Sequence, residues 1–366
     1  VKMCLFYDRP SGHARSDPII NQECASGHVH TFYGPLNFHP NTTFDDLVST
    51  PDRFSTSPFI ENQSLYWHPS IYKVTTNGDG KKTYTRVSNL ESSPYYRWDK
   101  SAPTMVEPFP PGFRMIAASN DPGADKGGEI GSNMFTECCN LVDRGGEEPE
   151  EDCKNWEYLF FPTRTCDFLG IALNMPTCWN GKLDDPDDHK SHMAFTLNGK
   201  VAGPCPTNYN RRLPQVQLFV RIINYEGGTY QLSDGNGLPG NGNVWHVDFF
   251  NGWQDGKLQE IIDGCQYQEQ EFDEFNPPCD CSHGDDQDFL TPNTQVAPTM
   301  CDDAVRRLIL NEATDVVADK LPTGPCEGEC RIAPKSWDKP GADFINCGPT
   351  PSPDKCPPAP PGPPPG

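Results

Sequence analysis

The amino-acid sequence predicts an all-β protein, an antiparallel β-sandwich of jelly-roll type. Three observations carry that prediction. The 366 residues include 39 prolines and 32 glycines, a turn-rich composition that a helical bundle does not tolerate. Segments of strand length, rich in aromatic and β-branched residues, recur along most of the chain and are closed by Gly, Pro or Asn. No helical pattern alternates with them, which excludes a parallel βαβ architecture and leaves two packed sheets as the way to bury them.

The clearest element is a hairpin. Ile71–Thr76 and Thr83–Val87 flank Asn77-Gly78-Asp79-Gly80, residues tolerant of positive φ. Further strands are expected at Phe113–Ala118, Trp156–Phe161, Phe168–Asn174, His192–Leu197, Gln215–Ile223, Thr229–Leu232 and Val244–Phe250. These place a sandwich domain over residues 16–265, after an N-terminal arm of residues 1–15. Beyond Cys265 the chain becomes acidic and irregular. A helix near residues 301–320 is expected there, with Thr299 as N-cap, Asp302 three residues on, and Val305, Leu308, Ile309, Val316 and Val317 on one stripe. Residues 266–347 thus read as a Cys-rich extension and 348–366 as a Pro-rich tail. Its end, Cys356–Gly366, suits polyproline II and cannot form a packed core.

The formal net charge is −22, which repels nucleic-acid backbones and anionic lipid and excludes both as partners. No apolar run reaches the roughly 18 residues a spanning helix needs, so no membrane span is expected. The sequence opens on Val1 without an apolar leader, and Val1 is read as lying at or near a processed terminus. Sixteen cysteines would be a liability in a reducing cytosol and point to disulfides in an extracellular protein. Nine lie in residues 1–265 (Cys4, Cys24, Cys138, Cys139, Cys153, Cys166, Cys178, Cys205, Cys265) and seven beyond (Cys279, Cys281, Cys301, Cys326, Cys330, Cys347, Cys356). Both counts are odd, so full oxidation requires a bridge across that boundary, within the chain or between copies. Vicinal Cys138 and Cys139 are expected to bond to different partners. Sequons at Asn41 and Asn62 mark glycosylation sites, and the tail around Ser352 and Pro353 can carry sugar on hydroxyproline.

Five histidines fall in three compact motifs. Gly27-His28-Val29-His30 sets two imidazoles on one face of an extended segment, because strand side chains repeat every two residues. Asp187-Asp188-His189-Lys190-Ser191-His192 places two more beside acidic groups near a turn. Trp245-His246-Val247-Asp248 again puts His and Asp on one face. Converged in a sandwich, these groups have three uses. His28, His30 and a third ligand such as His189 or Asp188 can hold a metal, Zn by its nitrogen donors or Ca by the Asp184–Asp188 carboxylates. His28, His30, His192, His246 and Asp248 can act as acid and base on a polysaccharide. Alternatively the imidazoles are buried structural groups satisfied by Asp188 and Asp248, and no cofactor is needed. Cys279-x-Cys281-x-His283 and Cys326-x-x-x-Cys330 resemble zinc fragments but read better as disulfides. Gly235-x-Gly237-x-x-Gly240 lacks the helix of a dinucleotide site and reads as a turn. Trp67, Trp98, Trp179, Trp245 and Trp253 are either sugar-stacking platforms or core.

Taken in order, His28-Val-His30-Thr-Phe-Tyr-Gly34, Phe109-Pro-Pro-Gly-Phe-Arg114, Cys178-Trp-Asn-Gly-Lys182, Asp188-His-Lys-Ser-His-Met193 and His246-Val-Asp-Phe-Phe-Asn-Gly-Trp253 carry a resemblance. Over about residues 16–265 the chain resembles a family of secreted proteins best known from fungi, classed as a domain of unknown function, some members of which are fused to carbohydrate-binding WSC modules. The resemblance implies secretion, a β-rich fold and a link to cell-wall or extracellular glycan. It departs at Tyr209, where members usually carry His, which puts any role of that His in doubt. Two functions follow as expectations. One is a glycosylated structural protein whose copies assemble head to tail through their termini into a fibril or wall layer. The other is a glycan-active enzyme, a polysaccharide hydrolase or lyase, built on the His/Asp cluster.

Overall fold

The computed structural model describes residues 2–22, 25–36, 38–119, 133–142, 150–155, 161–235, 245–265, 289–300, 302 and 314–322. In chain order the elements begin with β1 (Lys2–Cys4), β2 (Gly12–Ala14), β3 (His30–Tyr33), α1 (Phe44–Val48), β4 (Leu65–Pro69), β5 (Ile71–Thr76), β6 (Lys82–Arg86) and β7 (Leu90–Arg97). They continue with β8 (Arg114–Ala118), β9 (Met134–Val142), β10 (Glu150–Asn155), β11 (Cys166–Asn174), β12 (Cys178–Trp179), β13 (Met193–Ala194), β14 (Arg211–Arg212) and β15 (Gln215–Tyr225). The last are β16 (Tyr230–Leu232), β17 (His246–Phe250), α2 (Lys257–Gly264) and β18 (Val316–Ala318).

Two antiparallel sheets form the body: six strands in the order β1-β7-β15-β11-β9-β10 and five in the order β2-β3-β4-β17-β8. Alternation decides which side chains meet between them. Val216, Leu218, Val220 and Ile222 of β15 and Leu169, Ile171 and Leu173 of β11 share one core with Tyr33, Tyr66, Val247 and Phe249 of the five-stranded sheet. Late strands insert between early ones, β17 between β4 and β8 and β15 between β7 and β11. This interleaving gives the sandwich its jelly-roll character. A four-stranded sheet, β16-β5-β6-β18, contains the expected hairpin, closed by Asn77–Lys81 with Gly80 at φ 83°.

The outer face of the five-stranded sheet is apolar too. Phe32, Leu65, Trp67, Ile116 and Phe250 point outward and are covered by Ile19, Leu36, Phe38, Leu47, Phe54, Ala297 and Met300. Part of this cover comes from the C-terminal region. Met300 N–H donates to the Ser11 carbonyl (2.7 Å) and Ala297 N–H to that of Ser55 (2.8 Å). Arg86, itself buried, binds both Asp302 carboxylate oxygens at 2.8 Å.

Several expectations are corrected. Residues 1–15 are not a separate arm, because β1 and β2 pair with β7 and β3 as edge strands of the two sheets. The helix expected over 301–320 does not reach its last residues: Val316–Ala318 is a strand on β6, as β-branched Val316 and Val317 favour, and 303–313 lie outside the described residues. The strand expected at His192–Leu197 contracts to Met193–Ala194, and residues 156–160 of another lie outside the described set. A helix not foreseen, α2, closes one end with Leu258, Ile261 and Ile262 buried.

Cys138–Cys166, Cys139–Cys153 and Cys178–Cys205 are disulfides, so the vicinal pair does part to different partners. Cys4 and Cys265 are disulfide-bonded as well. Of the remaining cysteines, Cys24, Cys279, Cys281, Cys301, Cys326, Cys330, Cys347 and Cys356 lie outside the described residues, as do Ser352 and Pro353. No helix among the described residues is long and apolar enough to cross a membrane.

The two sequons separate by burial. Asn41 is exposed. Asn62 is fully buried, with Nδ2 donating to the Tyr66 hydroxyl (3.0 Å) and Oδ1 accepting from Ser64 N–H (3.0 Å). A glycan has no path out of that position, so the sequon at Asn62 is a corrected expectation. Peptide mapping of secreted protein should find sugar on the Asn41 peptide and an unmodified Asn62. A glycan on Asn62 would contradict the packing.

Candidate functional site

The site is assembled by strand register on the outer face of the five-stranded sheet. His30 of β3 pairs with Pro69 of β4. Asp248 of β17 pairs with Trp67 of β4, which brings His246, two residues earlier, level with Pro69. His30 and His246 therefore stand in one row with a proline between them. Its short ring lets the two imidazoles lean together over it, to 5.7 Å between centroids. His28, two residues before His30 on the same face, completes a trio, 4.3 Å from His30 and 5.2 Å from His246 by ring centroid. Asp248 follows His246 on that face, with Oδ2 3.8 Å from His246 Nε2.

The nitrogens converge. His246 Nε2 lies 3.3 Å from His28 Nε2 and 3.4 Å from His30 Nε2. His30 Nδ1 is 2.9 Å from the Ser16 carbonyl, and a carbonyl only accepts. The proton must sit on Nδ1, so His30 presents a bare lone pair at Nε2. Burial brings His28 down to about 4 and holds His30 and His246 well below the usual imidazole range, the neighbouring rings adding to the effect on the latter two. The same burial pushes the Asp248 carboxyl well above its ordinary value. Asp248 is 1% exposed, and neither of its carboxylate oxygens has a hydrogen-bond partner among the described residues.

Around the trio lie groups that sequence reading did not single out. Ser16 orients His30 through its backbone. Asp17 is buried, accepts from Ile19 and Ile20 N–H through Oδ1, and has its carboxyl raised to about 6, mainly by burial. The Lys190 ammonium contributes to the field felt by both His246 and Asp248. Backbone orientation of an imidazole leaves no side-chain pattern in a sequence, which is why Ser16 was silent there.

Other predicted residues do not join. His192 is buried, its Nε2 donating to the Arg114 carbonyl (2.8 Å) and its ring set edge-on against Phe113. His189 pairs through Nδ1 with Asp184 at 2.9 Å. Asp188 accepts from Lys190 and Ser191 N–H and binds the Ser191 hydroxyl, so its carboxylate serves the turn. The structure places none of these three with the trio; each is held by hydrogen bonds of its own. In the same loop Asp184 and Asp185 spend their carboxylates on backbone N–H groups, His189 and Lys182, which argues against a calcium site. The tryptophans are core: Trp67, Trp98, Trp179, Trp245 and Trp253 are all at most 3% exposed, so none offers a face to sugar. Tyr209 donates its hydroxyl to the Ser191 carbonyl (2.9 Å) and is no part of the trio, so the departure there removes none of its members.

No curated protein and no solved structure matches the chain. A family model does match it over residues 17–253, well over half its length and across all four residues of the cluster. The chain therefore belongs to the DUF1996 family, described as a domain of unknown function.

Proposed function

We propose that the chain is a secreted, glycan-active enzyme, a hydrolase or lyase of extracellular polysaccharide, with His28, His30, His246 and Asp248 as its working groups. The convergence of the three histidines, with Asp248 beside His246, carries the reading. Structural histidines in this molecule look different: His192 has a backbone carbonyl, and His68 holds the Pro69 carbonyl at Nδ1 (2.9 Å) and the Tyr33 hydroxyl at Nε2 (3.3 Å). The trio instead turns its Nε2 atoms on one another beside a buried, unpaired carboxyl. Such an arrangement costs stability and is retained where it serves chemistry. His28 and His246 are only partly buried, so the cluster has a solvent side. Disulfides fit an extracellular setting, and the resemblance to proteins fused with carbohydrate-binding modules supplies the substrate class.

A screen of the full-length secreted protein against cell-wall and matrix polysaccharides, read by reducing ends and by unsaturated product absorbance, tests this. Turnover should fall by about 10²–10⁴-fold in His246→Ala, the usual range for an acid–base group. Equal turnover in wild type and variant, or none on any substrate, would remove the reading.

A second reading, head-to-tail assembly into a fibril or wall layer, is favoured by one sequence feature. Seven of the eleven residues Cys356–Gly366 are proline, a stiff, extended end suited to docking on a neighbouring copy. Light scattering on native material should then show polymers that shrink when residues 348–366 are deleted, whereas a monodisperse monomer excludes assembly.

A further inference from the structure

We propose that His28, His30 and His246 form a mononuclear zinc-type centre, three imidazole nitrogens around a single divalent transition-metal ion, with the Asp248 carboxylate beside His246 at its edge. The inference names the cofactor of the site above. It stands on geometry of its own, and metal binding is measurable whether or not a polysaccharide is ever turned over.

The first argument is distance. A tetrahedral ion holding nitrogens at about 2.0–2.1 Å sets them about 3.3–3.4 Å apart. His246 Nε2 stands 3.3 Å from His28 Nε2 and 3.4 Å from His30 Nε2. Ligand atoms of all three histidines lie within 4.8 Å of one another. The second argument is proton count. His30 Nε2 carries no proton, because Nδ1 donates to Ser16. A single N–H on His246 can point at one neighbour, so it cannot satisfy both nitrogens that approach it. At least one of the two approaches is left without a hydrogen bond, and a shared cation resolves what a hydrogen bond cannot. The Ser16 carbonyl behind His30 is also the outer contact that metal-ligating histidines commonly make, fixing tautomer and ring direction.

The third argument is independent of the histidines. Asp248 is 1% exposed, both carboxylate oxygens lack a hydrogen-bond donor among the described residues, and Oδ2 lies 3.8 Å from His246 Nε2. A buried carboxylate without a hydrogen-bond donor is expensive, and a cation held by the neighbouring imidazoles would offset that cost. Three nitrogens suit zinc and its transition-metal neighbours, with a fourth position left for water, and not calcium, which takes six to eight oxygens. The second cluster of possible ligands, Glu137 with Cys139 and Cys153, is not a rival, because those two cysteines are bonded to each other. With His28 and His246 only partly buried, the ion's solvent side lies at that pair. Water bound there would reach a pKa near 7 by general precedent, giving a hydrolase its nucleophile.

Chelator-treated, full-length protein titrated with Co²⁺ at neutral pH tests the centre, with free thiols blocked so that cysteine cannot contribute. Wild type should develop visible d–d bands saturating at one ion per chain, and Zn²⁺ should displace them. Asp248→Asn, which keeps shape and burial, should weaken Co²⁺ binding by at least about 10–100-fold. His246→Ala should abolish the bands, and circular dichroism of both variants checks folding. Wild type without Co²⁺ bands in tenfold excess overturns the centre, as does a folded His246→Ala that binds as wild type does. Metal binding without turnover would leave the centre standing and remove only the polysaccharide reading.

Discussion

Phe249→Ala should cost about 3–5 kcal/mol of folding stability, more than any other single truncation on the inner face of the five-stranded sheet. Phe249 is fully buried on β17, the strand inserted between β4 and β8. Its ring lies 4.9 Å from Phe109, 5.5 Å from Tyr66 and 6.4 Å from both Tyr96 and Phe113 by centroid. Four aromatic neighbours anchored on different elements cannot all relax into the space left, so most of the cavity persists. Urea unfolding with disulfides intact, compared with Leu197→Ala at a residue 70% exposed, gives the contrast. The surface change should stay within about 0.5 kcal/mol. Comparable losses for the two would mean that β17 is not central to the core.

The second large effect is loss of stability in mild acid. His68 is fully buried and neutral, brought down to about 4, chiefly by burial. His13 is held well below the usual range for the same reason. Above pH 6.5 neither is protonated in the folded or the unfolded chain, and neither affects the balance. Below 6.5 the unfolded chain takes up protons that the folded one refuses, so stability falls as pH falls. For His68 the separation of about 2.5 pH units corresponds to about 3 kcal/mol at pH 4. Asp17 works in the opposite sense. Its folded carboxyl, raised to about 6, holds a proton between pH 6 and 4 that the unfolded chain releases, which offsets part of the loss. Asp248, raised by burial, acts as Asp17 does, while His28, His30 and His246 act as His68 does; the lowered histidines outnumber the raised carboxyls, and the net slope between pH 6.5 and 4 is downward. Thermal melts of metal-free protein at pH 7.5, 6, 5 and 4.5 should show the fall, and His68→Gln should flatten it. A melting temperature independent of pH over that range would contradict the neutral, buried state of His68.

Much of the sandwich was legible because its long strands announce themselves. Gln215–Tyr225 and Cys166–Asn174 carry continuous apolar stretches, Leu218–Val220 and Ile171–Leu173, as strands at the centre of a sheet do, and the Asn-Gly-Asp-Gly turn fixes the register of β5 against β6. Strand β7 was hidden by Pro94, which normally argues against a sheet interior. The structure tolerates it because Pro94 faces the short edge segment after β1, where its carbonyl still accepts from Leu5 N–H (3.0 Å) and only the return bond is lost. Three-residue strands such as β1, β2 and β18 carry too few positions to show a period, and only pairing with distant residues makes them strands. The site was half legible. Spacing of two residues placed His28 with His30 and His246 with Asp248, but which motifs meet depends on register across β4. No local pattern encodes that register, nor the turn hydrogen bonds that draw Asp188, His189 and His192 away.

Inheritance and folding draw different borders around this protein. The family signature stops at residue 253, yet Ala297 and Met300 lie over Phe38 and its neighbours, and Leu258, Ile261 and Ile262 of α2 seal the inner core. A gene-shuffling event that copied the signature alone would transplant the imidazole cluster while leaving two greasy surfaces bare. Lineages that carry this domain into new protein contexts must therefore bring a substitute for the missing cover. The sequence that provides it is free to diverge, because it needs only to be apolar, the right length and tied down.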